Sequence, residues 1–407
     1  MTPMTNTNRK LRWIILAVAT FVLAVAGFVA YKVFGEPGHA EFKAGKAAYR
    51  AGDYESAVEH FKLAAEQGNL KARTLAGIFY RKGMGVKQDY AEALKWLRPA
   101  AEQGYGTAQS ELGLCYECGF GVEQDYAEAV EWYKKAAEQG VSDAQILLAV
   151  AYGLGRGIEQ DDKAAFEWMF KAADQGDDLA QYHLAVFYRD GRGVKKNRKA
   201  AAKWFRRAAK QGNADAQYEY ARFIETNDGV KWDGKEIFKW YGKAAEQGHI
   251  EAMYELYSCY SYETGVKRDM DRALYWLHQA AERGHARAQI YLSAHYRDGL
   301  SIPKDEKNAF FWGLKAAEQD YPGGQYMVGT YYEKGIGVEQ DYAEAAKWFR
   351  KAADQSNEYA QYELGECYRE GKGVEKDMVE AVKWYRLAAD QGSPRAKEAL
   401  KELNLAE

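Results

Sequence analysis

The sequence predicts an all-α fold: a solenoid of stacked helical hairpins, preceded by one N-terminal transmembrane helix. Three observations predict it. A tryptophan returns every 36 residues, at Trp96, Trp132, Trp168, Trp204, Trp240, Trp276, Trp312, Trp348 and Trp384. An Ala-Ala-x-Gln-Gly phrase keeps the same step, ending at Gly68, Gly104, Gly140, Gly176, Gly212, Gly248 and Gly392, with Asp320 and Ser356 holding its last position elsewhere. Self-similarity at a fixed period of this size is the mark of a stacked-repeat architecture, in which each repeat touches only its neighbours. The third observation is Trp13 to Tyr31, a run without a charged residue.

That run is long enough to cross a hydrocarbon core of ~30 Å as a helix. Trp13 and Tyr31 sit at its ends, where amphipathic rings favour the headgroup region. Arg9, Lys10 and Arg12 precede it and only Lys32 follows closely, so the positive-inside rule keeps residues 1–12 cytoplasmic and exports the rest. Ala24-Val25-Ala26 before Gly27 resembles a signal-peptide cleavage site, but the apolar run continues past it, which favours an uncleaved anchor. Either reading exports the repeats. No cysteine precedes Cys115 to carry a lipid. The expected localisation is a bacterial inner membrane, crossed once, with the repeats in the periplasm.

After a linker at 32–40 comes a hairpin over 41–68 with a tight Gly52-Asp53 turn. It looks tetratricopeptide-like and lacks the longer loop of later repeats, which suits a capping unit. Nine repeats follow over 69–391, then a C-terminal capping helix within 392–407. In each repeat the first helix, helix A, carries Ala-Gln-x-x-Leu-Gly-x-x-Tyr, as at Ala108, Gln109, Leu112, Gly113 and Tyr116. Ala108, Leu112 and Tyr116 make one buried stripe. The neighbouring small residue (Gly77, Gly113, Ala149, Ala185, Ala221, Gly329, Gly365) admits a second helix at close range.

Glycines in the following loop end helix A in the left-handed conformation. A loop hydrophobe, such as Val86, Val122, Ile158 or Val374, is expected to plug the space between the helices. Asp or Asn then stands at all nine helix B starts, from Asp89 to Asp377, as an N-cap requires. Glu92, Glu128, Glu236, Glu344 and Glu380 lie three residues on and complete a capping-box pattern. The recurring aspartate is therefore structural, not a metal ligand or catalytic acid. Asn69, Asp177, Asn213, Asn357 and Ser393 are expected to cap the next helix A, with Pro322 and Pro394 at the first helical position.

Together these phrases resemble the Sel-one-like repeat (SLR) family, a relative of the tetratricopeptide repeats. The resemblance covers the nine repeats. It implies a right-handed α-superhelix serving as a protein-interaction scaffold, often exported or envelope-anchored in bacteria and in some cases paired with secreted effectors. Some cysteine-rich members have been labelled β-lactamases. This chain lacks their paired cysteines in each repeat, and the Ser-x-x-Lys, Ser-Asp-Asn and Lys-Thr-Gly set is not evident, so that activity is not carried over.

Four departures mark the pattern. Pro99 falls inside a helix B and is expected to bend it. Tyr257 replaces the small residue, Gly323-Gly324 weakens a helix start, and Asn227-Asp228 replaces a loop glycine. The last three suggest that repeats five to eight are less regular.

Outside the buried stripe, helix A carries a strip at i, i+4, i+7 and i+11. In repeats one to four it holds Leu75, Ile78; Leu114, Cys118; Leu147, Val150, Leu154; and Leu179, His183, Val186. In repeats five, six and nine it holds Glu219, Arg222; Glu251, Glu255; and Glu363, Glu366, Glu370. Helix A lines the inner curve in tetratricopeptide-type solenoids, so the apolar strip resembles a groove for an unidentified protein partner. Contact between adjacent repeats would bury the same residues, and sequence does not set the rotation of the helix. The regularity of the tyrosine row at Tyr182, Tyr218, Tyr254, Tyr326 and Tyr362 favours packing over ligand stacking, with a saccharide-binding aromatic ladder as the weaker alternative.

No cofactor, metal or catalytic constellation is expected. The seven histidines show no ligand spacing. Cys115 and Cys118 form a C-x-x-C on a helix, without a second pair, and read as packing residues. Cys259 and Cys367 lie three repeats apart, roughly 30 Å or more, too far for a disulfide. A net charge of −3, with export, argues against nucleic acid. The sequence thus points to a non-enzymatic scaffold in envelope assembly, secretion or effector neutralisation. The alternative is an envelope enzyme or regulator acting on cell-wall or exopolysaccharide material.

Overall fold

A computed structural model describes residues 37–403. The expected cytoplasmic tail, the 13–31 membrane helix and most of the linker lie outside the described residues, as do the last four residues. Among the described residues there are 21 helices and no strand, and no helix is long and apolar enough to cross a membrane. The chain divides into two compact units at Asn197 and Arg198.

The N-terminal unit alternates helices A and B: α1 (His39–Arg50), α2 (Tyr54–Glu66), α3 (Leu70–Lys82), α4 (Tyr90–Glu102), α5 (Gly106–Cys118), α6 (Tyr126–Glu138), α7 (Ser142–Leu154), α8 (Asp162–Asp174) and α9 (Asp178–Asp190). The C-terminal unit opens on a helix B: α10 (Arg198–Gln211), α11 (Ala214–Glu225), α12 (Gly234–Glu246), α13 (Ile250–Tyr262), α14 (Met270–Glu282) and α15 (Ala286–Asp298). It continues with α16 (Glu306–Glu318), α17 (Pro322–Lys334), α18 (Tyr342–Asp354), α19 (Glu358–Glu370), α20 (Met378–Asp390) and α21 (Pro394–Glu402). Repeats five to eight keep helices of 12 or 13 residues, and their irregularity lies in side chains and in the loops, where Asn227, Glu263 and Ser301 hold the left-handed conformation without glycine.

Helix B starts as its sequence requires. Asp89 accepts from the Glu92 amide at 2.9 Å, and Asp125, Asp161, Asp233, Asp269, Asp305, Asp341 and Asp377 cap their helices in the same way. The second half of the expected capping box does not form. The Asp89 amide already donates to the Tyr80 carbonyl at 3.0 Å, and Asp125 and Asp377 repeat this on Tyr116 and Tyr368. With that donor taken, Glu92 turns the other way and accepts from the Trp96 indole at 3.1 Å. Glu128 and Glu236 take Trp132 and Trp240 at 2.9 and 2.8 Å. In these three repeats the tryptophan is thus tied to the first turn of its own helix, whereas Glu344 and Glu380 take Lys347 and Lys383, and the Trp384 indole is left without a hydrogen-bond partner among the described residues.

Asn69, Asp177, Asn213 and Asn357 cap helix A, whereas Ser393 makes no side-chain cap bond. His249 and His285 occupy the same register and cap through Nδ1, a use of histidine that the residue type does not advertise. The expected loop plugs are half-buried, and Val86, Val122, Ile158 and Val374 pack on core clusters.

The small residue of helix A faces the residue after the tryptophan. A Cβ at Gly113 would lie 2.6 Å from the Tyr133 ring, and Gly77, Gly329 and Gly365 face Leu97, Phe349 and Tyr385 at the same distance. Departures from this pairing are compensated. Tyr257 is buried and its hydroxyl meets His295 Nε2 at 3.1 Å. Where Gly313 follows Trp312, Tyr331 from the next helix A fills the space and its hydroxyl meets Ser293 at 2.7 Å. Gly324 is not a weak point: a Cβ there would lie 2.7 Å from the Ala316 carbonyl carbon, so close helix approach requires it. The helix holding Pro99 runs continuously through it.

Two further devices join successive repeats. A buried glutamine of helix A donates to the end of its own preceding helix B and accepts from the glutamine that ends the next one. Gln145 donates to the Ala137 carbonyl at 3.1 Å and accepts from Gln175 at 2.8 Å. The pairs Gln109–Gln139, Gln217–Gln247, Gln289–Gln319 and Gln361–Gln391 repeat it, and Gln325 accepts from Gln355 in the same way but donates to the Asp320 carboxylate at 2.7 Å. The second device is the second loop glycine, which rests on the first turn of the previous helix B. A Cβ at Gly157 would lie 2.1 Å from the Tyr126 oxygen.

Candidate partner-binding face

The strip on helix A divides into packed and outward-facing members. Leu75 and Leu147 are half-buried and pack on core clusters. Ile78, Leu114, His183 and Val186 are also half-buried, and the His183 ring lies edge-on to Tyr182. Val150, Leu154 and Leu179 are 39, 55 and 47 % exposed. Both readings of the strip therefore apply to different residues. Its inner members serve packing, while Val150 and Leu154 on α7 and Leu179 on α9 present apolar surface to solvent.

One concavity in the N-terminal unit includes strip residues. It has a volume of about 420 Å³ and lies against α1, α2, α3 and the start of α5. Leu75 and Ile78 form part of its wall, and Phe61 and Phe79 lie beneath. The tight first hairpin, read as a cap, thus contributes Phe42 and Lys46 to this surface. Leu114, Leu147, Val150, Leu154, Leu179, His183 and Val186 lie outside it.

In the C-terminal unit the strip is acidic, and two of its carboxyl groups are half-buried beside others. Burial pushes Glu255 up to about 7, with Glu225 adding to the rise and Arg222 and Arg287 opposing it. Burial pushes Glu363 up to about 7, with Glu333 adding and Arg395 opposing. The equivalent place in the N-terminal unit holds an ion pair, Arg81 to Glu111 at 2.8 Å. A carboxyl raised above its unfolded value contributes stability that is complete below about pH 4.5 and is lost as pH rises through about 7. Acidification across that window should therefore favour the fold through these two groups, by at most about 3 kcal/mol each, against the opposite contribution of His278 and His285, whose burial disfavours their protonation. Replacing both with glutamine, Glu255→Gln and Glu363→Gln, should flatten the dependence in denaturant titrations at several pH values. An unchanged slope in the double variant would remove these two groups from the account.

The tyrosine row is packing. Tyr218 stacks on His249 at 4.5 Å and Tyr254 on His285 at 4.7 Å, while Tyr326 and Tyr362 lean on Phe349 and Tyr385. All four cysteines are free thiols, with Cys118 exposed and the others buried. Burial pushes Cys115 up to about 11 and Cys259 and Cys367 up to about 12, which keeps them protonated and unreactive near neutral pH. Among the described residues, no group of three or more His, Cys, Asp or Glu side chains could hold a metal ion.

Paired helices in a fixed register, joined by the same staple in repeat after repeat, define a helical repeat solenoid. A model of the Sel1 repeat matches ten consecutive stretches, 39–69, 71–105, 106–141, 142–177, 178–213, 214–249, 250–285, 286–321, 322–357 and 358–393. The chain belongs to the Sel1 repeat family. The first match falls on the hairpin read as a tetratricopeptide-like cap. Among solved structures, the chain is similar to a protective antigen present in uropathogenic Escherichia coli strains and displaying an SLR fold. Identity is 36 % over 93 % of this chain and 82 % of that one, with a TM-score of 0.77. It is also similar to a Sel1 repeat protein from Oxalobacter formigenes, at 30 % identity over 80 % of this chain and 93 % of that one, with a TM-score of 0.62. Among curated proteins none matches.

Proposed function

We propose that this protein is a non-enzymatic scaffold that binds a protein partner through the helix A face of its N-terminal unit. The carrying observation is the outward-facing apolar set Val150, Leu154 and Leu179 on helices of one register. A folded chain leaves such surface uncovered at a cost in solubility, and a partner offsets that cost. Helical repeats suit the task, because adding hairpins extends a surface without altering the core.

The proposal extends to place. The uncharged run from Trp13 to Tyr31, with Arg9, Lys10 and Arg12 before it, anchors the chain in the inner membrane and leaves the repeats in the periplasm. A relative that is a protective antigen is in keeping with export. Envelope assembly, secretion and effector neutralisation all lie within this reading.

Val150→Lys combined with Leu154→Glu tests it. Both side chains are exposed, so the melting temperature should stay within a few degrees of the parent. Recovery of the protein co-purified from envelopes should fall at least tenfold. Undiminished recovery would contradict the assignment of this face. Protease added to cells with a permeabilised outer membrane should degrade the repeats, and full protection would contradict the export.

A further inference from the structure

We propose that the concavity under α1 and α3 seats an apolar side chain of a partner polypeptide that carries a carboxylate on each side of it. This rests on the scaffold reading and adds the partner's chemistry. The floor is apolar and closed: Phe61 and Phe79 are buried, and the Thr74 hydroxyl is already spent on the Leu70 carbonyl at 2.8 Å. Polar recognition must therefore come from the rim. The rim carries Lys46, Lys71 and Lys82, all exposed, and no Asp or Glu lines the concavity. A volume of about 420 Å³ lies within the ~300–1,000 Å³ range of ligand clefts, so the space admits a large apolar side chain with part of its backbone.

Register confines this feature to one place. The short 51–53 turn shifts α1 by four residues against the 36-residue step: Gly45 faces Phe61 as Gly77 faces Leu97, which sets Phe42 beside Thr74 and Lys46 beside Ile78, one turn before Lys82. One repeat beyond α3, Ile78 and Lys82 become Leu114 and Cys118, and the cationic rim ends. The corresponding strip in the C-terminal unit carries Glu219, Glu255 and Glu363 and would repel the same partner.

The spacing of the cations selects a polypeptide over an acyl chain with one anionic head. Lys71 and Lys82 lie at the two ends of α3, about 16 Å apart at a helical rise of ~1.5 Å per residue. A single headgroup meets one of them. An extended segment at ~3.3 Å per residue spans both with carboxylates about five residues apart and its apolar residue between them. The Lys46 ammonium, 5.7 Å from the Phe42 ring centroid, sits at the mouth between these ends.

The test uses the full chain in nanodiscs of neutral lipid and a fluorescent peptide with a Leu-Phe centre and a glutamate on each side. Fluorescence anisotropy should show saturable binding that weakens with salt. A lysine-flanked peptide should bind at least tenfold more weakly. Lys46→Glu with Lys82→Glu should weaken the glutamate peptide at least tenfold and strengthen the lysine peptide. Equal affinity for both peptides, indifference to the charge reversal, or uptake of a free fatty acid without peptide binding would each overturn the proposal. The scaffold reading is judged separately. Loss of the native partner in the Val150→Lys, Leu154→Glu variant upholds it even where the peptide fails to bind.

Discussion

Gly157→Ala should cost about 3 kcal/mol or more, while Gly140→Ala, at the end of the preceding repeat, should cost about 1 kcal/mol. Both glycines have a left-handed backbone, with φ of 68° and 85°. That shared strain is the smaller effect. At Gly140 a Cβ would meet nothing within 4 Å, so an alanine suffers only the conformational penalty. At Gly157 it would lie 2.1 Å from the Tyr126 oxygen and 2.3 Å from its carbonyl carbon, and one repeat must move away from the next. The same contact recurs at Gly193, Gly265, Gly337 and Gly373, each 1.9 Å from a carbonyl oxygen of the previous helix B. Asp320 and Ser356 replace the unobstructed glycine and hold φ of 60° and 63° without it, and the loop glycine is replaced once, by Ser301 in the seventh repeat with φ of 63°. Urea unfolding followed by circular dichroism measures both variants. Equal losses would show that the loop glycine is not an inter-repeat contact.

Gln145→Leu should destabilise by about 1–2 kcal/mol, although leucine is the more apolar residue at a buried site. The change leaves the Ala137 carbonyl without its 3.1 Å donor and the Gln175 amide without its 2.8 Å acceptor. The Ala137 carbonyl keeps the Gly140 amide at 3.0 Å and the exposed Gln175 can turn to solvent, so the loss is that of two hydrogen bonds and not of a stranded group. The sixth repeat offers an internal control. There Met253 stands in place of the helix A glutamine, and its partner position holds Arg283, which turns back to the Gln279 carbonyl at 3.1 Å and its side-chain oxygen at 2.7 Å. Both halves of the staple are absent together. Introducing Gln145→Met and Gln175→Arg together should therefore cost about 1 kcal/mol less than the sum of the single changes. A coupling near zero in that double-mutant cycle would contradict the staple.

The parts of this fold that can be read from sequence are those decided within a few residues. An aspartate before a helix and a glycine after it each have one local reason, and the 36-residue step aligns them. The parts that escaped are tertiary. The two glutamines of the staple stand in conspicuous phrases, but their bond joins residues 30 apart in neighbouring repeats. The capping-box glutamates were misassigned because the Tyr80 carbonyl, at the end of the preceding helix, occupies the amide they were expected to meet. Periodicity placed Leu147, Val150 and Leu154 on one strip but could not set its rotation, so packed Leu147 and exposed Leu154 looked alike. The concavity escaped for a related reason: the short 51–53 turn shifts α1 by four residues against the 36-residue step, so Gly45 takes the place of Gly77 and Lys46 falls beside Ile78, which the step alone does not show.

Site-specific photo-crosslinking in the living cell tests the central claim most directly. A photoreactive residue placed in turn at Val150, Leu154 and Leu179 samples the helix A face, and at Val379 and Tyr275 it samples helix B positions that are at least as exposed. The account predicts one discrete adduct with another protein from the three helix A positions and none from the two on helix B. Adducts of equal yield from both faces, or none from helix A, would contradict it.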